Sequence, residues 1–188
     1  MEYRARLYIL TVKIAVVFFV LMVSRFSLHA GVINRDEALK AAFPTAQIEY
    51  KPLFLTDKEV KEIEQISGTS VPSALVACYV ATEKGQISGR TYLDTHTVRT
   101  KKESLLVILN ADGTVKRVEV VAFLEPPEYQ APDRWYHQFD QKSLDKDLRV
   151  SGSIHPVTGA TLTAKATTEA VRRVLATDQV VLRRGKTP

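Results

Sequence analysis

The chain has 188 residues, with 26 lysines and arginines against 21 aspartates and glutamates, for a formal charge of +5. That length holds one domain with extensions, and a hydrophobic content of 45% is enough for a core. The basic residues are scattered rather than gathered into a run or an aromatic-studded helix, which argues against nucleic-acid binding, and one cysteine, Cys78, cannot supply an internal disulfide, an iron–sulfur cluster or a Cys-x-x-Cys-His haem site.

Arg4 and Arg6 precede an apolar stretch, residues 7–23, which is interrupted by Lys13 and strongest over 14–23. This is near the lower limit of about 17 residues for a spanning helix and longer than the roughly 7–15 apolar residues of a signal peptide. Residues 27–30 end in a small residue without a clear cleavage pattern. The reading is a signal anchor over residues 1–30, with a cleaved signal peptide as the alternative. Basic residues before the stretch favour an inside start. The expected setting is a bacterial inner membrane crossed once, with the following domain on the periplasmic or extracellular side, or secreted to the periplasm after cleavage.

Asn34-Arg35-Asp36-Glu37 has capping-box spacing and predicts a short helix ending near Phe43, with Pro44 as the stop. Thr56-Asp57-Lys58-Glu59 repeats the signal, and Gly68 closes the second helix; Val60, Ile63 and Ile66 share its inner face. Residues 73–82 and 87–94 read as a hairpin, and residues 104–109 and 114–123 as a second one across Asn110-Ala111-Asp112-Gly113, with a bulge where alternation breaks in the last strand. Cys78 lies in the apolar run of the first hairpin and reads as a buried thiol. Arg90, Arg99, Lys101 and Lys102 read as a solvated basic edge that discourages strand pairing.

Three prolines make residues 125–133 an ordered loop; residues 134–139 form a short helix and residues 141–152 a polar connector. A helix over residues 164–176 turns Val171, Val174 and Leu175 inward, and residues 178–188 read as a basic tail. The whole is an α+β domain over residues 34–177: a twisted antiparallel sheet with helices packed at one side.

Before the last helix stands Thr158-Gly159-Ala160-Thr161-Leu162-Thr163. Small residues let backbone N–H groups approach an anion, threonine hydroxyls can donate to a phosphate or be esterified by one, and the helix start adds unpaired N–H groups and a positive dipole end. The plainer reading is a helix N-cap in a Ser/Thr-rich turn, with the Thr163 hydroxyl at most a cap. His155 lies just upstream and reads either as a turn residue before Pro156 or as a cation that contacts the phosphate. His96 and His137 lack metal-ligand spacing, and no Ser–His–Asp set, P-loop or dinucleotide fingerprint is present.

The spacing Ser/Thr-Gly-Ala-Thr-x-Ser/Thr ahead of a C-terminal helix resembles the signature of the FMN-binding domain family, which includes the flavin subunits of the Rnf complex and of the sodium-pumping NADH:quinone reductase. The Leu124-Glu125-Pro126 segment and the stretch Arg134 to Phe139 resemble that family in similar order. There a dedicated flavin transferase joins FMN through its phosphate to the threonine after the alanine, so the resemblance implies an ester at Thr161. It also places Glu125 on a loop near the flavin ring. Tyr129, Trp135 and Tyr136 are candidates to border that ring, since aromatic faces pack on a flat heterocycle. One residue departs from the pattern: His155 stands where the family carries an aspartate, six residues before the modified threonine.

The function expected is a membrane-associated subunit that carries FMN and relays electrons between other membrane redox subunits, with no catalytic residue or metal of its own. The alternatives are an exported flavin reductase module and a binding module that lost the covalent flavin.

Overall fold

The computed structural model describes residues 33–183, and the segment expected to anchor the chain, residues 1–30, lies outside them. Among the described residues no helix is long and apolar enough to cross a membrane.

Helix α1 (Arg35–Ala42) starts where the Asn34 side chain accepts the Asp36 N–H. After strands β1 (Gln47–Tyr50) and β2 (Leu53–Phe54), helix α2 (Asp57–Ser67) opens with a complete capping box between Thr56 and Glu59 and ends at Gly68, φ 71°. Strands β3 (Leu75–Glu83), β4 (Gln86–Thr97), β5 (Lys102–Asn110) and β6 (Val115–Phe123) follow as a meander. They pair antiparallel in the order β1-β3-β4-β5-β6, with β2 also on the outer edge of β3. In β6 the partner of Leu105 is Val120 and that of Ser104 is Ala122, so the expected bulge falls at Val121.

Strand β5 explains the layering. Leu105, Leu106, Val107, Ile108 and Leu109 are all fully buried, which requires cover on both faces of the sheet. On one face Leu105, Val107 and Leu109 join Tyr92, Cys78 and Val118 against helix α2, a short helix α3 (Asp133–Tyr136) and the last helix, α4 (Thr161–Arg183). On the other face Leu106 and Ile108 meet Ala38 and Ala42 from α1 and Phe43, which caps its C-terminal end. The Phe43 ring lies over Gly89, where a Cβ would come within 2.4 Å of it. The expectation of helices at one side is therefore corrected: α1 covers the opposite face.

A second correction concerns the C-terminal end. Helix α4 does not stop near residue 176 but runs to Arg183, with Asp178, Val180 and Val181 buried. Residues 178–183 are helix rather than tail because Asp178 reaches into the sheet to pair with Arg90 at 2.5 Å. Arg90 in turn is a buried residue, only 2% exposed, and no part of a solvated edge. Cys78 is fully buried, and burial pushes its thiol pKa up to about 12.

Candidate functional site

Helix α4 is delivered by a tight turn. The Ala160 N–H donates to the Val157 carbonyl at 3.1 Å, and between them Gly159 takes φ 84°, where a side chain would be strained. No atom lies within 4 Å of where a Cβ on Gly159 would sit, so the turn has open space beside it. The Ala164 N–H returns to the Ala160 carbonyl at 2.9 Å and begins the helical ladder. Ala160, in the cap position, has no side-chain acceptor to offer the N–H groups of Thr161, Leu162 and Thr163. Those donors stay available at the positive end of a helix of 23 residues.

The two threonines of the first turn differ completely. Thr161 is exposed, and its hydroxyl has only a long contact, 3.4 Å, to the Val157 carbonyl. Thr163 is 1% exposed and donates to the Tyr129 carbonyl at 2.5 Å. The expected capping role of Thr163 is thus corrected: two residues along the helix is about 200° of rotation, which turns its hydroxyl inward onto another segment. Thr158 and Gly159 are exposed, Ala160 is buried, and Leu162 stands 51% exposed beside Thr161.

Tyr129 ends a 3-10 turn, Pro127–Tyr129, and its ring carries the Arg99 guanidinium 4.5 Å from the ring centre. Arg99, Tyr129 and the stretch Gly159 to Thr163 line one shallow pocket of about 210 Å³. The sequence places Arg99 on a solvated edge; the fold brings it to the motif because it sits in the turn between β4 and β5. Among the described residues no carboxylate contacts its guanidinium.

Glu125 fixes that turn. Its Oε1 accepts the backbone N–H groups of Thr100 at 2.6 Å, Lys101 at 2.8 Å and Arg99 at 3.1 Å. Those donors, Thr100 first, hold the carboxyl below the usual glutamate range. The residue expected on a ring-side loop therefore acts on the backbone that presents Arg99. Trp135 is likewise not a wall of the pocket. It is 6% exposed, packs edge-on against Tyr136 and Phe139, and donates its indole N–H to the His155 carbonyl at 2.7 Å. The His155 N–H donates to Gln138 at 2.8 Å, so both backbone groups of His155 are tied down while the residue itself stays exposed.

One turn further along α4 lies a buried charge chain that sequence patterns do not reveal. Thr167 donates to Glu103, which also takes the Tyr136 hydroxyl. His96 bridges Glu103 at 2.9 Å and Asp94 at 3.0 Å, and Arg173 grips Asp94 with two bonds of 2.8 Å. Burial pushes the His96 pKa down, but the two carboxylates outweigh it and the net shift is up. His96 and Glu103 are direct cross-strand partners, so only the hairpin register could have revealed the pair.

A larger hollow of about 520 Å³ opens elsewhere; its one arginine, Arg117, pairs with Glu119 at 3.2 Å, and Glu37 and Asp133 leave the lining with an excess of carboxylates that disfavours a phosphate.

Two comparisons bear on this geometry. The family model described as FMN-binding domain matches residues 101–176, from the start of β5 through the threonine motif and most of α4. A relative in Acetobacterium woodii, one of the subunits of its Na(+)-translocating ferredoxin:NAD(+) oxidoreductase complex, is 27% identical over 166 residues, spanning 79% of this chain and 74% of its own. The resemblance read from the threonine motif therefore stands: residues 101–176 match an FMN-binding domain, and the match supports FMN as the cofactor.

Proposed function

We propose that the protein is an electron-carrying subunit whose FMN is esterified through its phosphate to the Thr161 hydroxyl. FMN itself supplies one- or two-electron transfer; the chain supplies attachment, position and access. The observation that carries the reading is the contrast between the two threonines of the motif. Thr161 presents an exposed hydroxyl at a helix N-terminus beside open space, while Thr163 is spent on the Tyr129 carbonyl. The residues fit the group: backbone donors, an arginine with no carboxylate partner among the described residues and a small turn face one another.

Pocket size supports a covalent bond. Ordinary ligand pockets hold at least about 300 Å³, and this one holds about 210 Å³. Such a site accommodates a phosphate and its tail but leaves a tricyclic ring largely outside, where equilibrium binding is weak. An ester removes that limitation. Maturation then needs a flavin transferase, and electron relay needs neighbouring redox subunits; the relative's membership of an oxidoreductase complex supports the second. A membrane setting for this chain is part of the same proposal and rests on residues 1–30.

The test is intact mass of the full-length protein made with and without a flavin transferase. A gain of one FMN less one water, lost in Thr161→Ala, is expected. An unmodified wild-type mass would sink the ester. A second reading, a non-covalent FMN module, is favoured by one observation: His155 stands where the family pattern has aspartate. Yellow colour that leaves with denaturation would support it.

A further inference from the structure

Among the described residues, Arg99 is the one cation lining the pocket at the threonine turn. Its backbone is held by the Glu125 carboxylate, its guanidinium rests on the Tyr129 ring at 4.5 Å, and the Tyr129 main chain is held by Thr163 at 2.5 Å. Three separate contacts thus converge on placing one positive charge beside Thr161. A solvated edge arginine needs none of them. Arginine presents planar donors that match phosphate oxygens in pairs, and stacking on an aromatic ring leaves its edge free to do so.

From this arrangement we infer that Arg99 recognises the phosphate of the flavin nucleotide and makes the site discriminate FMN from riboflavin. The inference rests on the reading of this pocket as the flavin site, but not on the ester. Arg99 binds the phosphate directly. Glu125 and Thr163 are positioning residues, one setting the turn that carries Arg99 and the other the tyrosine beneath it. Arg99 lies just before the residues matched by the family model, so the match itself does not assign it.

The experiment uses full-length protein made without a transferase, titrated with FMN and with riboflavin by flavin fluorescence. Wild type is expected to prefer FMN by about ten- to a hundredfold, the range for a hydrogen-bonded charge pair. Arg99→Ala should bind both alike, Arg99→Lys should keep part of the preference, and inorganic phosphate should compete with FMN in wild type but not in Arg99→Ala. Arg99 is exposed, so Arg99→Ala should keep the wild-type melting temperature. Equal affinities in wild type, or an unchanged preference in Arg99→Ala, overturn the assignment. The titration is made without a transferase, so no ester forms and the preference reads Arg99 alone. A wild-type chain that discriminates but never gains mass with the transferase therefore removes the ester and leaves Arg99 standing.

Discussion

Replacing Asp178 with alanine removes the counter-charge of Arg90 at a place closed to water. Each residue is 2% exposed. Asp178 accepts the Arg90 Nε at 2.5 Å and Nη2 at 3.0 Å, and the Tyr92 hydroxyl donates to it at 2.7 Å. Burial works to lower the Arg90 pKa, yet Asp178 outweighs it and the net shift is up; without the aspartate the desolvation is opposed only by the smaller contributions of Tyr92 and Cys78. Stranding one member of a buried pair costs about 3–5 kcal/mol. The unpaired Tyr92 hydroxyl adds to that, though the two losses share an acceptor and do not sum simply. For a chain of this size each kcal/mol lowers the melting temperature by about 2–4 °C, so a fall of at least ~6 °C is expected. Urea unfolding and thermal melts of the full chain read it, with Glu169→Ala as a control. Glu169 makes only a 3.9 Å contact to exposed Lys165 and should move stability by no more than about 0.5 kcal/mol. If Asp178→Ala costs less than about 1 kcal/mol, residues 178–183 behave as the tail that composition suggests, and the buried pair is wrong.

Thr163→Val should cost about 1 kcal/mol in urea unfolding, since it removes the bond to Tyr129, and should slow flavin attachment without abolishing it; full loss of the mass gain would mean that Thr163 is the modified residue. The His96 pKa is raised by folding, so the stability His96 contributes is complete below the unfolded value of about 6.5 and is lost as pH rises through the folded value. Asp94 is shifted down despite burial, so its contribution holds above about pH 3.9 and fades as pH falls through its folded value. Urea midpoints should therefore fall from mildly acid to alkaline pH in wild type, and His96→Gln should flatten that slope. Cys78, buried with its pKa pushed up to about 12, should resist thiol reagents in the native state and react only on unfolding; prompt labelling in native buffer would contradict its burial.

Local signals carried most of the elements. Capping residues Asn34 and Thr56, the left-handed stop at Gly68 and the Asn110 to Gly113 turn each act through neighbours in sequence, so they are legible there. The apolar run Leu105 to Leu109 also announces a doubly buried strand, but which helix covers which face depends on contacts far along the chain. Charges were the hardest to place. Arg90 stands among Ser88, Gly89 and Thr91 in β4 and so reads as solvent-facing, and its partner Asp178 is 88 residues away. The same holds for Arg173 and Asp94, 79 residues apart. At the site, the motif located the turn and Tyr129 was among the aromatic candidates. Glu125 and Trp135 were legible as special but not in their roles, because each acts on backbone groups of a distant segment.

The spacing within the motif separates two tasks, and moving a hydroxyl by one residue tests whether that matters. The double variant Thr161→Ala, Leu162→Thr keeps a hydroxyl on the first turn of α4. Residue 162 is at least as accessible as the original position needs, with its leucine 51% exposed. One residue along a helix, however, is about 100° of rotation and 1.5 Å of rise, which swings the hydroxyl away from the side where Thr161 meets the Val157 carbonyl. If a transferase needs only an exposed threonine near a helix start, the variant gains one flavin at residue 162, and peptide mapping by mass spectrometry finds it there. If the ester forms where the turn, the helix donors and Arg99 jointly hold the phosphate, the variant stays unlabelled although it folds as wild type. The geometry requires the second result, because reactivity here comes from placing an ordinary threonine against a preorganised set of donors rather than from any unusual chemistry of its hydroxyl.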